Sequence, residues 1–170
     1  MFISNIGLSM QDWFKSFFHG LAQVLLFIWQ LPQNLVGLFY MLLLSKEKCL
    51  FVQRGVRFYI APTMNGGVSL GMFVFISADS AYKQACYDHE FGHCRQSRIL
   101  GPLYLPTVGL CSGLHCVFHN SVNGSYYDFW TERWANRLGG VPSYAGKGAE
   151  EGLIYTTYSY LKERMTQLFG

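Results

Sequence analysis

Five consecutive residues near the middle of the chain combine two histidines and a glutamate at a spacing suited to metal chemistry: His89-Glu90-Phe91-Gly92-His93. Residues four apart in a helix lie on the same face, so both imidazoles can bind one zinc ion. Glu90 projects beside that face, where its carboxylate can reach a water molecule at the metal without binding the metal itself. The motif therefore predicts a zinc site with His89 and His93 as ligands and with Glu90 within reach of a metal-bound water.

A catalytic zinc site needs a third protein ligand and an open position for water. Glu132 is the candidate, because it lies in a helical pattern built largely from aromatic and aliphatic residues. A carboxylate in such a helix is costly unless it is paired or bound to a metal. The alternative is a salt bridge from Glu132 to Arg133, to Arg137 or to an arginine of the first motif's helix.

The two motifs together resemble the gluzincin metallopeptidases, since Glu132 is followed by Ala135 and Asn136. The closest branch is the membrane-associated one that contains the CAAX-prenyl and heat-shock proteases, whose second helix reads Glu-x-x-Ala-Asp. Short uncharacterised bacterial proteins with His-Glu-Phe-Gly-His are similar as well. The resemblance implies a Zn²⁺ cofactor held by His89, His93 and Glu132. It also implies a peptide or protein substrate, hydrolysed with Glu90 as the general base.

One residue departs from the family's pattern. Asn136 lies where the family has an aspartate that accepts a hydrogen bond from a ligand histidine and orients it. An asparagine carbonyl can still accept the Nδ1 proton, but it lacks the charge that makes the histidine a more basic ligand. We therefore expect Asn136 beside the zinc site, with weaker metal binding or with another group supplying the missing charge.

Peptide hydrolysis also requires a group that stabilises negative charge on the carbonyl oxygen. Five residues are eligible and the sequence does not choose among them: Tyr126, Tyr127, His115, His119 and Arg137. By resemblance, the strand before the active helix would pair with the extended backbone of the substrate.

The elements that must position these residues indicate an α+β fold. We expect one mainly helical, minimal zincin-like domain over residues 1–170, with a small β-hairpin or sheet before the helix of the first motif. Residues 57–61 and 68–76 are rich in β-branched and aromatic residues, and Asn65-Gly66 between them predicts a hairpin over residues 57–76. The active-site helices are expected within residues 80–138, and a final helix over residues 150–168.

The distribution of charge raises the question of a membrane. Charged residues are only 14% of the chain and the net charge is +3, without a basic cluster dense enough to follow a phosphate backbone, so no nucleic-acid partner is expected. Residues 13–44 form an apolar helical segment with a break near Pro32, either one kinked helix or two short ones. No charged residue occurs between Lys15 and Lys46, so we expect membrane association.

Three polar residues complicate that expectation: Gln30, Gln33 and Asn34. Lipid would disfavour them unless another element satisfied their polar groups. If the segment spans a membrane, the basic residues after it place the catalytic part in the cytoplasm. The alternative is a buried helical pair in a soluble cytoplasmic protein.

Two other interpretations of the first motif stay open. A gluzincin-like scaffold could bind zinc or a peptide without cutting it, or a small membrane protein could carry the motif by chance. Retention of Glu90 favours catalysis, because a structural zinc site has no use for that carboxylate. The sequence therefore predicts a zinc metallopeptidase and leaves its substrate and oligomeric state open.

Overall fold

The computed structural model describes residues 9–44, 49–62, 64, 66–78, 80, 84–118 and 126–141. Its helices and strands are α1 (Met10–Trp29), α2 (Leu31–Leu44), β1 (Cys49–Gln53), β2 (Val56–Ile60), β3 (Gly67–Leu70), β4 (Phe73–Ile76), α3 (Gln84–Leu100), α4 (Leu110–Phe118) and α5 (Trp130–Gly139). Helices together with a four-stranded mixed sheet give the α+β fold that the sequence predicted. The helix predicted over residues 150–168 lies outside the described residues.

The apolar segment of residues 13–44 forms two helices rather than one kinked helix. α1 and α2 meet at Gln30, and their directions differ by 91°. Pro32 lies in the first turn of α2. A backbone N–H at this position has no acceptor within the helix, so the proline costs no helical hydrogen bond. In the described part of the chain, no helix is both long and apolar enough to cross a bilayer by itself. Two bent pairs have the combined length and composition to do so: α1 with α2, and α3 with the helical segment that ends at Phe118.

The three polar side chains near the bend are buried by the protein: Gln30, Gln33 and Asn34. Gln33 Nε2 donates to Ser97 Oγ at 2.9 Å, and Ser97 Oγ donates to Gln30 Oε1 at 2.8 Å. Asn34 Oδ1 accepts the backbone N–H of Met72 at 2.7 Å. These bonds anchor the bend to the end of α3 and to the turn before β4. Protein groups thus form hydrogen bonds with all three side chains, although Oε1 of Gln33 is buried without a partner.

The sheet has the order β1-β2-β4-β3, with β2 and β4 parallel and the other two pairs antiparallel. The hairpin predicted over residues 57–76 is therefore wrong in its pairing, because residues 68–76 are two strands with a turn at Gly71 and Met72. Gly71 has φ of 68°, which glycine adopts without strain, and this tight turn folds β3 back onto β4. Every residue of β4 is buried, so that strand takes an inner position in the sheet.

Helices cover both faces of this sheet. One face packs on α3 through a buried cluster: Val56, Phe58, Val74, Ile76, Phe91 and Cys94. The other face packs on α2 through a second cluster that includes Tyr59, Phe73, Phe75, Leu38 and Met41. The sheet therefore holds α3 in place, with the edge strand β3 beside the first motif.

Candidate metal centre

The two helices that carry the motifs, α3 and α5, approach closely where small residues meet. A Cβ added to Gly92 would overlap the carbonyl oxygen of Ala135 and lie 2.6 Å from its carbonyl carbon. Ala135 is itself fully buried. The glycine of the first motif and the alanine of the second thus allow the histidines of α3 to reach the glutamate of α5, since any larger side chain at the crossing would separate the two backbones.

His89, His93 and Glu132 converge at one buried point. Nε2 of His89 lies 3.2 Å from Oε2 of Glu132, and Nε2 of His93 lies 3.3 Å from the same oxygen. One ligand atom from each residue lies within 4.8 Å of the others, and no second such group occurs among the described residues. Two imidazole nitrogens and one carboxylate oxygen form a donor set that zinc uses when a fourth position stays open for water.

The outer nitrogen of each histidine is held by a neutral amide. Asn136 Oδ1 lies 2.7 Å from Nδ1 of His89, and Gln96 Oε1 lies 2.7 Å from Nδ1 of His93. Gln96 is fixed in turn, because its Nε2 donates to the carbonyl oxygen of Thr131 at 2.8 Å. An amide oxygen can only accept, so each Nδ1 carries a proton and each Nε2 is directed toward the shared point. Asn136 therefore has the position and the acceptor role expected from the sequence.

The outer oxygen of Glu132 is held by two hydroxyls. Ser112 Oγ donates to Oε1 at 2.8 Å and Thr131 Oγ1 donates to it at 3.0 Å. The two hydroxyls leave Oε2 for the histidines. The predicted alternative, a salt bridge from Glu132 to an arginine, is not the arrangement adopted, because the ion-pair partners of this carboxylate are His89 and His93.

The charges of the metal-free group depend on one another. Burial acts to lower the pKa of His93, but the Glu132 carboxylate, aided by Glu90, raises that pKa to about 9. Burial acts to raise the pKa of Glu132, but His93 and His89 hold it well below its usual value. At neutral pH the glutamate is therefore ionised, and a metal ion that binds here must displace the proton held by His93.

Glu90 is held beside the ligand group by the edge strand β3. Ser69 Oγ donates to Oε2 of Glu90 at 2.6 Å, and the glutamate is almost fully buried. Gly67, two residues earlier on the same face of the strand, leaves the space that the carboxylate occupies. A Cβ on Gly67 would overlap Oε1 of Glu90 and lie 2.7 Å from Cδ. The strand thus fixes one carboxylate oxygen and gives room to the other.

Tyr126 and Tyr127, two of the five candidates for stabilising the oxyanion, lie near the group formed by His89, His93 and Glu132. The ring of Tyr127 contacts His89, with the ring centroids 5.4 Å apart. Burial and the nearby Glu132 carboxylate raise the pKa of Tyr126, so its hydroxyl keeps its proton and can donate a hydrogen bond.

The other three candidates have different surroundings. His115 is buried and stacks on Tyr126 and Phe129, and its Nε2 lies 2.9 Å from the carbonyl oxygen of Tyr126. Arg137 is exposed on another face of α5. His119 lies outside the described residues. The geometry thus favours the two tyrosines over the other described candidates.

Ser69, Ser112 and Gln96 are site residues that the sequence did not identify. Gln96 follows His93 by three residues, so helical spacing alone could have placed it beside that histidine. Ser69 and Gly67 alternate with larger residues on a strand, which is a weaker signal of a surface facing a carboxylate. Ser112 carries no local signal, because its contact with Glu132 joins residues in two separate helices.

Cys94 follows His93 in the chain but is not part of the group. It is fully buried in the cluster between α3 and the sheet. Burial raises the pKa of its thiol to about 12, so it stays protonated and contributes no thiolate.

Comparisons with known proteins give no match to this chain: no protein-family model, no curated protein and no solved structure corresponds to it. The resemblance to the gluzincins therefore depends on the motif residues alone.

Proposed function

We propose that this chain is a zinc-dependent peptidase in which His89, His93 and Glu132 hold the metal and Glu90 is the general base. The observation that carries the proposal is the convergence of the three ligand atoms at one buried point, with a second carboxylate, that of Glu90, fixed beside them. The donor set fits zinc, because it offers one carboxylate and two imidazoles, both neutral once His93 has released its extra proton. The outer atoms of all three side chains are already held by hydrogen bonds.

Zinc bound at this point would act as a Lewis acid on the substrate carbonyl and would acidify a water molecule. Glu90 accepts a proton from the attacking water and later donates it to the leaving amine. Ser69 keeps the Glu90 carboxylate in one orientation, so the base does not have to be ordered when substrate arrives. We assign the stabilisation of charge on the carbonyl oxygen to Tyr126 and Tyr127, because Tyr127 contacts His89 and Tyr126 lies near Glu132.

The edge strand β3 gives an extended peptide a place to bind. Among the described strands it pairs only with β4, and the carbonyl oxygen of Ser69 accepts a hydrogen bond from the Tyr104 hydroxyl at 3.3 Å. A peptide that pairs with the other edge of β3 would share or displace that bond. The same strand carries Ser69, which contacts the base. A peptide that added to this edge would therefore run past Glu90, which supports a peptide as the substrate class.

Exchange of Glu90 for glutamine tests the proposal. The Glu90→Gln variant keeps the shape of the side chain and removes its basicity, so we expect one zinc ion per chain and no cleavage. Asp88→Asn is the matched control on the same helix, since Asp88 bonds to Gln84 rather than to the ligand group. The assay is cleavage of a library of unstructured peptides, read by mass spectrometry. Cleavage by zinc-loaded Glu90→Gln at the wild-type rate would contradict the mechanism.

A second candidate function is a scaffold that binds zinc or a peptide without cutting it. The neutral partners of the histidines, Asn136 and Gln96, favour this alternative, because they add no negative charge to the ligands. A wild-type protein that binds one zinc ion and leaves every peptide of the library intact would support the scaffold over the enzyme.

A further inference from the structure

We propose that α1 and α2 form an arm that docks into one leaflet of a lipid bilayer, in the plane of the membrane rather than across it. The proposal concerns the outer face of the two helices, defined by exposed apolar side chains that include Phe17, Leu21, Ile28, Leu35, Phe39 and Leu42. Each of these six is at least 44% exposed. The outer face belongs to helices other than those that carry the metal ligands, and the proposal does not depend on the proposed enzymatic activity.

The outer face of α1 lies opposite a polar stripe. Asp12, Ser16, His19 and Gln23 follow one another at intervals of four, three and four residues, so they share one side of the helix. Seven residues after Gln23, on the same side, Gln30 is buried and accepts a hydrogen bond from α3. The polar side of α1 therefore faces the protein at Gln23 and Gln30, whereas Asp12, Ser16 and His19 on the same side are exposed. The apolar side points away from α3.

α2 has the same arrangement with a different inner side. Its buried residues Gln33, Asn34 and Gly37 face the rest of the protein, and a Cβ on Gly37 would lie 2.9 Å from the carbonyl oxygen of Leu70. Leu35 and Phe39 lie on the opposite side and are exposed. Both helices of the arm thus direct large apolar side chains away from the sheet.

A bilayer interface matches this surface better than a bilayer crossing does. No charged side chain occurs from Ser16 to Leu44, so the outer face has nothing that acyl chains would exclude. α1 is long enough to span, at roughly 30 Å, but its polar stripe would then contact hydrocarbon. An amphipathic helix in the membrane plane buries its apolar side and keeps its polar side near water and headgroups. The 91° bend sets α2 across the direction of α1, which widens the area available for docking.

Residues 142–170 and a second copy of the chain are two other occupants to consider. Residues 142–170, even as one continuous helix, could cover the exposed apolar side of α1 or of α2 but not of both, because the two helices meet at 91°. It also carries charges at Glu150, Glu151 and Lys162, which suit water better than an apolar face. A second copy would bury the outer face only in a dimer, so its presence can be measured as a change in mass.

Binding to phosphatidylcholine vesicles tests the proposal directly. The full chain is mixed with vesicles and separated by flotation, and we expect it to float with lipid. Because the outer face carries no charge, raising NaCl from about 0.1 M to about 0.5 M leaves the bound fraction unchanged. Quenching of Trp13 and Trp29 is stronger with bromine placed near the headgroups than with bromine near the chain ends, since the arm stays in one leaflet.

Two adjacent residues on α1 supply a matched pair of variants. Phe17→Lys places a charge on the outer face and removes an aromatic ring, so the partition coefficient falls between about tenfold and about a hundredfold. Ser16→Lys adds the same charge to the polar stripe and changes the partition coefficient less than about twofold. Both side chains are exposed, so circular dichroism and zinc binding serve as checks that the fold is unaltered.

The remaining outcomes would each overturn the proposal. A monomer that does not float means that the chain itself covers the outer face. A dimer that does not float, and that Phe17→Lys converts to a monomer, means that a second copy covers it. Stronger quenching by bromine near the chain ends means that the arm crosses the bilayer instead of lying in one leaflet.

Discussion

Replacement of Asn136 by aspartate is the perturbation whose effect the geometry defines most sharply. Asn136 Oδ1 is the acceptor for Nδ1 of His89 at 2.7 Å, while its Nδ2 has no hydrogen-bond partner and the residue is almost fully buried. Asn136→Asp therefore exchanges an unpaired NH₂ for an oxygen and loses no bond. A hydrogen bond to a charged acceptor contributes about 1.5–3 kcal/mol, against about 0.5–1.5 kcal/mol for a neutral one.

The difference of about 1 kcal/mol predicts a zinc Kd for Asn136→Asp that is about fivefold lower than that of the wild type. Competition with a fluorescent chelator measures it. Asn136→Ala removes the acceptor and weakens zinc binding by about tenfold to a hundredfold. In the metal-free protein the added carboxylate is buried near that of Glu132, so Asn136→Asp lowers the melting temperature measured without zinc. The increase in melting temperature on adding zinc is larger for this variant than for the wild type.

Gln96 holds the other histidine, His93, in a different hydrogen-bond arrangement. Its Oε1 faces Nδ1 of His93, as Asn136 faces His89, but its Nε2 donates to the carbonyl oxygen of Thr131. Gln96→Glu replaces that donor by an oxygen facing another oxygen, so it destabilises the protein and does not tighten zinc binding. An unchanged or higher Kd for Asn136→Asp, or equal effects at both positions, would refute the argument.

Three further predictions follow from the same contacts. Ser69→Ala releases one oxygen of Glu90 and lowers kcat about tenfold or more with zinc content unchanged; an unaltered kcat would contradict the positioning role. Gly92→Ala pushes α3 away from the Ala135 carbonyl and lowers the free energy of unfolding, measured in urea, by about 1–3 kcal/mol. A variant more stable than the wild type would contradict the close crossing of the two helices. The metal-free His93 has a pKa of about 9 and is protonated below it. Zinc therefore releases about one proton at pH 7, and its affinity rises about tenfold per pH unit toward pH 9 and then levels off. Calorimetry in buffers of different ionisation enthalpy measures the release, and a pH-independent affinity would contradict it.

The sequence predicted the core of the candidate site because helical spacing encodes it locally. His89, Glu90 and His93 lie within five residues of one helix, and Glu132 was selected by its unusual apolar surroundings. Their convergence requires that α3 and α5 cross. The close approach of Gly92 to Ala135 that permits this crossing is a tertiary contact, which helical spacing does not predict.

The sheet shows why the rest could not be predicted. Asn65-Gly66 is a strong local turn signal, but Gly71 supplies a tighter turn, and the fully buried β4 takes the inner position. Pairing between β2 and β4 depends on long-range burial rather than on neighbouring residues. Because the predicted pairing was wrong, the approach of Ser69 to Glu90 was not foreseen.

X-ray absorption at the zinc edge tests the central claim most directly. For zinc bound to the full chain we predict two imidazole nitrogens at about 2.0–2.1 Å and light oxygen ligands at about 2.0–2.2 Å, from Glu132 and water, without sulfur. The spectrum of Glu132→Ala loses one carboxylate oxygen and keeps both nitrogens. A sulfur shell at about 2.3 Å, or an unchanged spectrum in Glu132→Ala, would show that His89, His93 and Glu132 are not the ligand set.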